Sequence, residues 1–196
     1  MKSLLRAGAF CCAALLVALQ APSAHADAGD TALTNLISLV SQRLALAEPV
    51  AHWKWVHHRP IVDSARERTL LADVAKRARR AGIDPSFADA FFADQIEANA
   101  QVQQALFDSW RTSQPPADPP PDLSSVVRPQ LDRLTPQLIA SLARIQPLRA
   151  APDCPMRVAQ SLANWKSLTR YDSTRTDALT LALQHVCESG GVGGMA

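Results

Sequence analysis

The sequence predicts an all-α fold, built as a single helical domain of about six helices. No run of alternating β-branched residues, which would indicate strands, occurs in the 196 residues. Ala, Leu, Arg and Gln instead fill long stretches in which apolar residues recur every three or four positions. Hydrophobic residues make up 47% of the chain and the mean hydropathy is −0.04, values typical of a globular protein with one sizeable core.

The first 26 residues have the features of a signal peptide. Lys2 and Arg6 form a positive region, residues 7–19 form an apolar region, and residues 24–26 supply a small-x-small cleavage site. Cleavage is expected near Ala26/Asp27, which predicts a periplasmic or secreted protein that no membrane retains. The apolar region is shorter than the ~20 residues that span a bilayer, and its retention as an anchor is the alternative.

The charge balance argues against a nucleic-acid partner. The leader holds two of the 20 basic residues and none of the 18 acidic ones, so the mature chain would carry 18 of each and be formally neutral. A basic run at residues 76–80 falls in the last turns of a predicted helix, where cations interact favourably with the helix dipole. We interpret this run as a solvated helix end.

The cysteines predict one disulfide. Cys11 and Cys12 lie in the leader, so cleavage leaves Cys154 and Cys187 in a compartment that permits disulfides. A bond between them would stabilise the fold by roughly 3 to 4 kcal/mol in the chain-entropy model. Two buried free thiols are the alternative.

Three helices are predicted in the first region, residues 27–113. The first spans about residues 30–57, where Pro49 should kink it, and its apolar positions are Leu33, Leu36, Val40, Ala47 and Val50. Residues 64–67 form a capping box that opens the second helix, which ends at Gly82. Asp84 and Pro85 supply the N-cap and first position of the third. That helix stops before Pro115, and its apolar stripe comprises Phe92, Ile96, Leu106 and Trp110.

The second half begins with a proline-rich connector at residues 114–122, whose five prolines cannot be helical and should form a semi-rigid extended segment. Helices are predicted beyond it at about 123–149, 155–171 and 172–188, within a region 123–189 that completes the site and the fold. Residues 190–196 are expected to be a flexible tail.

Polar residues occupy inward positions of two predicted helices. Arg43 and Lys54 follow the apolar stripe of the first helix, and Asn99 and Gln103 follow that of the third. Burying such groups without partners is unfavourable by several kcal/mol. The two cations are eleven residues apart, which places them roughly 20° apart around a continuous helix.

Two interpretations of these residues remain open from periodicity alone. The cations could pair with Asp63 and Glu67 in a buried structural network. They could instead line a pocket for a small anion, together with the neutral amide donors.

The same residues resemble the all-helical chorismate mutase family. The resemblance rests on Arg43, on Lys54 between two tryptophans, on residues 60–67 (PIVDSARE), and on Gln95-Ile96 ahead of Asn99 and Gln103. The leader, the segment around residues 120–124, Arg128 and the Cys154/Cys187 pair are similar to the exported γ subclass in particular.

The resemblance implies an isomerase that converts chorismate to prephenate, a step of phenylalanine and tyrosine biosynthesis, without metal or cofactor. It implies that Arg43 and Arg128 hold the substrate carboxylates, with Arg133 as the alternative to Arg128. Lys54 and Gln103 would donate to the ether oxygen. Arg66 would add positive potential and carboxylate contacts, and Asn99 would help hold a carboxylate. Asp63 and Glu67 would receive the substrate hydroxyl. A homodimer is expected from the family only.

Two positions depart from the pattern of exported members. Gln103 stands where the exported members that can be aligned have Glu, and Asn99 stands where small hydroxyl residues are usual. A neutral amide donates a hydrogen bond at any ordinary pH, so activity should not require acidic conditions. The competing functional hypothesis is a catalytically inactive exported helical protein that binds a small dicarboxylate or a protein partner.

Overall fold

A computed structural model describes residues 24–190, and within them the chain folds into seven α-helices with no strand. The predicted all-α class is confirmed. The predicted signal peptide, residues 1–26, and the predicted tail, residues 190–196, lie outside the described part except for residues 24–26 and 190. The helices are α1 Ala24–Ala45, α2 Ala47–Val56, α3 Ser64–Arg80, α4 Pro85–Thr112, α5 Arg128–Ile145, α6 Cys154–Thr169 and α7 Ser173–Leu181.

The predicted first helix is divided into α1 and α2, and the break lies at Leu46 instead of at Pro49. Proline has no N–H and its ring clashes with the carbonyl four residues earlier, which here belongs to Ala45, the last residue of α1. The backbone N–H of Leu46 donates instead to the carbonyl of Arg43, at 3.2 Å. The disturbance caused by a proline therefore appears one turn ahead of it.

The cap of α3 is Asp63, one residue before the predicted cap. Its carboxylate accepts from the backbone N–H of Arg66 at 3.2 Å, and its own N–H donates to Glu67 Oε1 at 3.2 Å. This reciprocal pattern resembles a capping box, with Glu67 one position beyond the usual third residue of the helix. Ser64 is the first residue inside the helix.

Helix α4 is the central element, with 28 residues and a length of about 42 Å at 1.5 Å per residue. It packs against α2, α3 and α7, while α1 packs against α5 and α6. The core between them is formed by side chains with almost no exposure, among them Leu33, Leu36, Val40, Phe91, Phe92, Leu138 and Leu142. A second, smaller cluster comprises Val50, Leu123 and Val127.

The connector is followed by a short π-helical turn, Leu123–Val127, which leads directly into α5. Asp122 caps this turn: its Oδ1 accepts from the backbone N–H and the hydroxyl of both Ser124 and Ser125, at 2.7 to 3.0 Å. The apolar side chains of the turn pack against Val50 of α2. The start of α5 is thereby fixed to α2, the helix that carries Lys54.

The last helix, α7, ends at Leu181, seven residues before the predicted end. The chain then continues in turns, since side chains of α4 hold it there: Gln95 Nε2 donates to the Ala182 carbonyl at 2.6 Å, and Asp94 accepts from the N–H of His185 at 3.2 Å.

The predicted disulfide is present and joins Cys154 to Cys187, with Cα atoms 5.9 Å apart. Within the described residues, no helix is long and apolar enough to span a bilayer.

Candidate active site

A cavity of about 120 Å³ opens between α1, α2, α3, α4 and the start of α5. This volume approaches the ~150 Å³ of a protein cavity that holds benzene, and the open mouth admits a larger molecule. The polar lining consists of the eight substrate-binding residues predicted from the sequence: Arg43, Lys54, Asp63, Arg66, Glu67, Asn99, Gln103 and Arg128. The apolar lining is formed by Val50, Ile61, Leu70, Ile96, Ala100, Leu123 and Leu131.

Arg43, in the last turn of α1, is the most deeply buried cation of the cavity, with 7% of its surface exposed. Burial, reinforced by the nearby Arg66 cation, lowers the pKa of Arg43 to about 10, while Asp132 opposes the shift. The guanidinium therefore remains charged at neutral pH. Its Nε is buried without a hydrogen-bond partner, so one donor of a buried cation is left for a ligand.

Lys54, in the last turn of α2, is half-buried on the opposite side of the helix break. Its Nζ donates to the backbone carbonyl of Ile61 at 2.5 Å. Burial lowers the pKa of Lys54 from its ordinary value, the carboxylates of Asp63 and Glu67 oppose the shift, and Arg128 adds to it. An ammonium has three N–H donors, so two remain after the bond to Ile61.

The first turn of α3 supplies Asp63, Arg66 and Glu67. The reciprocal capping bonds fix the two carboxylates relative to each other, and each carboxylate keeps one oxygen that the capping bonds do not use. Arg66 lies 3.8 Å from Asp132, and both side chains are largely exposed, at 45% and 71%. An exposed pair of this kind contributes little stability and leaves the guanidinium available to a ligand.

Helix α4 supplies the two amides. Asn99 and Gln103 are one turn apart, and Gln103 Nε2 donates to Asn99 Oδ1 at 2.6 Å. Gln103 is 4% exposed, and its Oε1 is buried without a partner.

Arg128 is the first residue of α5 and lines the cavity, whereas its alternative, Arg133, is exposed and is not part of the lining. The Nε of Arg128 is buried without a partner, as is that of Arg43. The capped π-helical turn orients Arg128, and sequence reasoning missed this turn although Asp122 followed by two serines is a typical cap signal. The role of the Ile61 carbonyl as acceptor from Lys54 was also not predicted, because every residue has a backbone carbonyl and the sequence does not distinguish one from another.

The lining carries four cations and two carboxylates, which gives a formal surplus of two positive charges. Three of its polar atoms are buried without partners, namely Arg43 Nε, Gln103 Oε1 and Arg128 Nε. Buried polar groups in folded proteins are almost always hydrogen-bonded, so their concentration at one cavity indicates a polar ligand. The charges indicate a dianion.

Comparison with known proteins gives consistent matches. The sequence fits the family model for chorismate mutase type II over residues 30–104, which include seven of the eight predicted substrate-binding residues, all except Arg128. It is 33% identical over 176 residues to the secreted chorismate mutase of Mycobacterium tuberculosis, covering 89% of this chain and 87% of that protein.

The fold matches two crystal structures. Chorismate mutase from Burkholderia thailandensis superposes with a TM-score of 0.79 at 63% identity, covering 80% of this chain and 99% of that one. Chorismate mutase from Burkholderia phymatum superposes with a TM-score of 0.77 at 34% identity, covering 82% and 98%.

Proposed function

The chain belongs to the chorismate mutase family and is an isomerase of that activity, and from this premise we propose that Lys54 and Gln103 promote its reaction by electrostatic stabilisation of the transition state. The observation that carries the proposal is the cavity itself, where a surplus of two positive charges surrounds buried donors without partners. Such a lining complements a dicarboxylate.

Binding begins with the two carboxylates of chorismate. Arg43 and Arg128 each have a buried Nε–H without a partner, and a guanidinium fork binds a carboxylate through two parallel hydrogen bonds. A carboxylate on each arginine would satisfy both orphaned donors. It would also hold the substrate in the folded conformer that brings the reacting carbons together.

The rearrangement breaks a C–O bond while it forms a C–C bond, so negative charge accumulates on the ether oxygen in the transition state. Lys54 retains two free N–H donors and Gln103 retains one on Nε2, and both residues line the same cavity. Donors fixed in advance at an oxygen that gains charge stabilise the transition state more than the ground state. No nucleophile and no proton transfer is needed.

The remaining polar residues complete the binding of the substrate. Arg66 adds positive potential beside Arg43 and contacts a carboxylate, and Asn99 has its Nδ2 free for the same purpose. The unused carboxylate oxygens of Asp63 and Glu67 accept the substrate hydroxyl.

Export is the second part of the proposal. Two relatives, from Mycobacterium tuberculosis and Mycolicibacterium smegmatis, are named secreted chorismate mutases. The leader and the Cys154–Cys187 disulfide support the same location for this chain. Mass spectrometry of the exported protein should give a mature chain that begins at Asp27, and an intact leader in that fraction would contradict the proposal.

Two measurements test the catalytic and oligomeric parts of the proposal. Chorismate loss is followed in the ultraviolet with protein that begins at Asp27, and prephenate is confirmed by its acid conversion to phenylpyruvate. Arg43→Ala should abolish turnover, whereas Arg133→Ala, which removes an exposed arginine outside the cavity, should leave it unchanged. Equal losses in the two variants would contradict the assigned site.

We also propose a homodimer, which sedimentation as a monomer at micromolar concentration would exclude.

A further inference from the structure

The hydrogen bond between Asn99 and Gln103 affects the orientation of the Gln103 amide as well as the stability of α4. A glutamine amide presents either its oxygen or its N–H groups to a ligand, and rotation by 180° about its last bond exchanges them. The two orientations have opposite polarity at the ether oxygen. Only the N–H orientation stabilises the charge that develops there.

The electrostatic surroundings favour the wrong orientation. Gln103 shares its cavity with four cations and two carboxylates, and the surplus of positive charge attracts an amide oxygen. Gln103 Oε1 is buried and has no partner that would hold it away from the cations. Side-chain packing gives no discrimination either, because the oxygen and nitrogen ends of an amide are nearly the same size.

We infer that Asn99 is a positioning residue that fixes the orientation of the Gln103 amide. Its Oδ1 accepts one of the two N–H groups of Gln103 Nε2, at 2.6 Å, which holds the nitrogen in place and leaves the second N–H for the ether oxygen. The inference rests on the proposed role of Gln103 as the donor to that oxygen.

Asparagine has the combination of properties that this task requires. It offers an acceptor oxygen that reaches one helical turn along α4, and it brings no negative charge close to a dianionic substrate. Aspartate at the same position would accept the bond but repel the carboxylates. A serine oxygen lies one bond nearer the helix backbone, so it would reach less far towards Gln103.

The test is a double-mutant cycle with separate measurement of kcat and KM. Gln103→Ala alone should lower kcat by about 100-fold or more, as loss of a single oxyanion donor does. Asn99→Ala alone should lower kcat by about 2- to 13-fold, the range that the net contribution of one neutral hydrogen bond gives. In the Gln103→Ala background, Asn99→Ala should cause no further loss of kcat, and loss of the proposed Asn99 contact to a carboxylate should appear in KM alone.

Helix α6 supplies a matched control. Gln160 Nε2 donates to Asn164 Oδ1 at 3.1 Å, which is the same pair of side chains at the same separation on an exposed surface outside the cavity. Asn164→Ala should leave kcat and KM unchanged. Circular dichroism and thermal melting check the fold of every variant, and if Asn99→Ala does not fold, Asn99→Ser carries the same cycle.

The outcomes separate the inference from the proposal beneath it. A Gln103→Ala enzyme with near-normal kcat would overturn the role of Gln103 itself. If Gln103→Ala is impaired but the two losses in kcat multiply in the double variant, Asn99 does not act on the rate through Gln103 and the inference is wrong. An increase in KM for Asn99→Ala at unchanged kcat would lead to the same conclusion.

Discussion

Replacement of Lys54 by alanine is the most direct test of the chemistry. The side chain has three N–H donors, of which the Ile61 carbonyl takes one at 2.5 Å, and the others are directed to the ligand cavity in the proposed mechanism. Loss of a single preorganised oxyanion donor lowers kcat by about 10² to 10³, or about 2.7–4 kcal/mol. Lys54→Ala should therefore lower kcat at least 100-fold.

The same substitution has a structural effect that must be measured separately. The bond to Ile61 ties the segment between α2 and α3 to the end of α2. A hydrogen bond from a charged group has a net worth of about 1.5–3 kcal/mol when buried, and the half-exposed Lys54 belongs at the lower end of that range. Urea unfolding of Lys54→Ala measures the loss of this stability. Lys54→Met keeps the apolar stem of the side chain, so comparison of the two variants separates the effect of lost packing from that of the lost charge.

The assay is chorismate consumption with kcat and KM determined for each variant, and Lys76→Ala on the exposed face of α3 is the control. A folded Lys54→Ala enzyme whose kcat lies within tenfold of the original would refute the assignment. A raised KM at unchanged kcat would reduce Lys54 to a binding group.

Three further predictions concern the cap, the disulfide and pH. Asp122→Ala should lower kcat/KM several-fold by loosening the turn that orients Arg128. Hydrogen bonds from Ser124 and Ser125 hold the pKa of the Asp122 carboxyl well below its usual range. The stabilisation of the turn by this cap is therefore present at neutral pH and is lost only as the pH falls through that depressed pKa. Reduction of the Cys154–Cys187 bond, which closes a 33-residue separation, should lower the free energy of unfolding by about 3 to 4 kcal/mol in urea titrations. Finally, kcat/KM should be flat from pH 5 to 8, and Gln103→Glu should make it fall steeply over that range, because an ionised carboxyl cannot donate.

Each of these has a clear contrary result. Asp118→Ala, in the connector ahead of the capped turn, should leave kcat/KM unchanged. Equal losses of kcat/KM in Asp118→Ala and Asp122→Ala would show that the cap does not orient Arg128. Unfolding that is insensitive to reductant would show that the disulfide does not constrain the chain. A steep fall in the rate of the unaltered enzyme between pH 5 and 8 would mean that Gln103 is not the neutral donor.

The fold was predictable where apolar periodicity decides it, and less so where tertiary contacts do. Helical spacing identified α3 and α4 closely, and the capping signals of Asp84 and Pro85 gave the start of α4. The end of α7 was wrong by seven residues because side chains of α4, Asp94 and Gln95, hold the following segment in turns. Such contacts between distant parts of the chain do not appear in a local pattern.

The candidate site followed from the same logic with one exception. Arg43 and Lys54 stood at inward helical positions and do line one cavity, although the helix is interrupted between them at Leu46. Arg128 could not be derived from spacing, because the connector separates it from the other residues and hides its direction. Only the resemblance to a family indicated it, and the roles of all these residues stay predictions until variants are measured.

The position of Arg128 behind the connector has a consequence for how the protein works at low concentration. All eight predicted site residues belong to one polypeptide, so each subunit of the proposed homodimer would keep a whole cavity if the subunits separated on dilution. Under the proposed export, an enzyme that is secreted is diluted on its release. Activity per molecule should then be independent of protein concentration, and mixing two differently inactivated variants should not regenerate activity through shared sites.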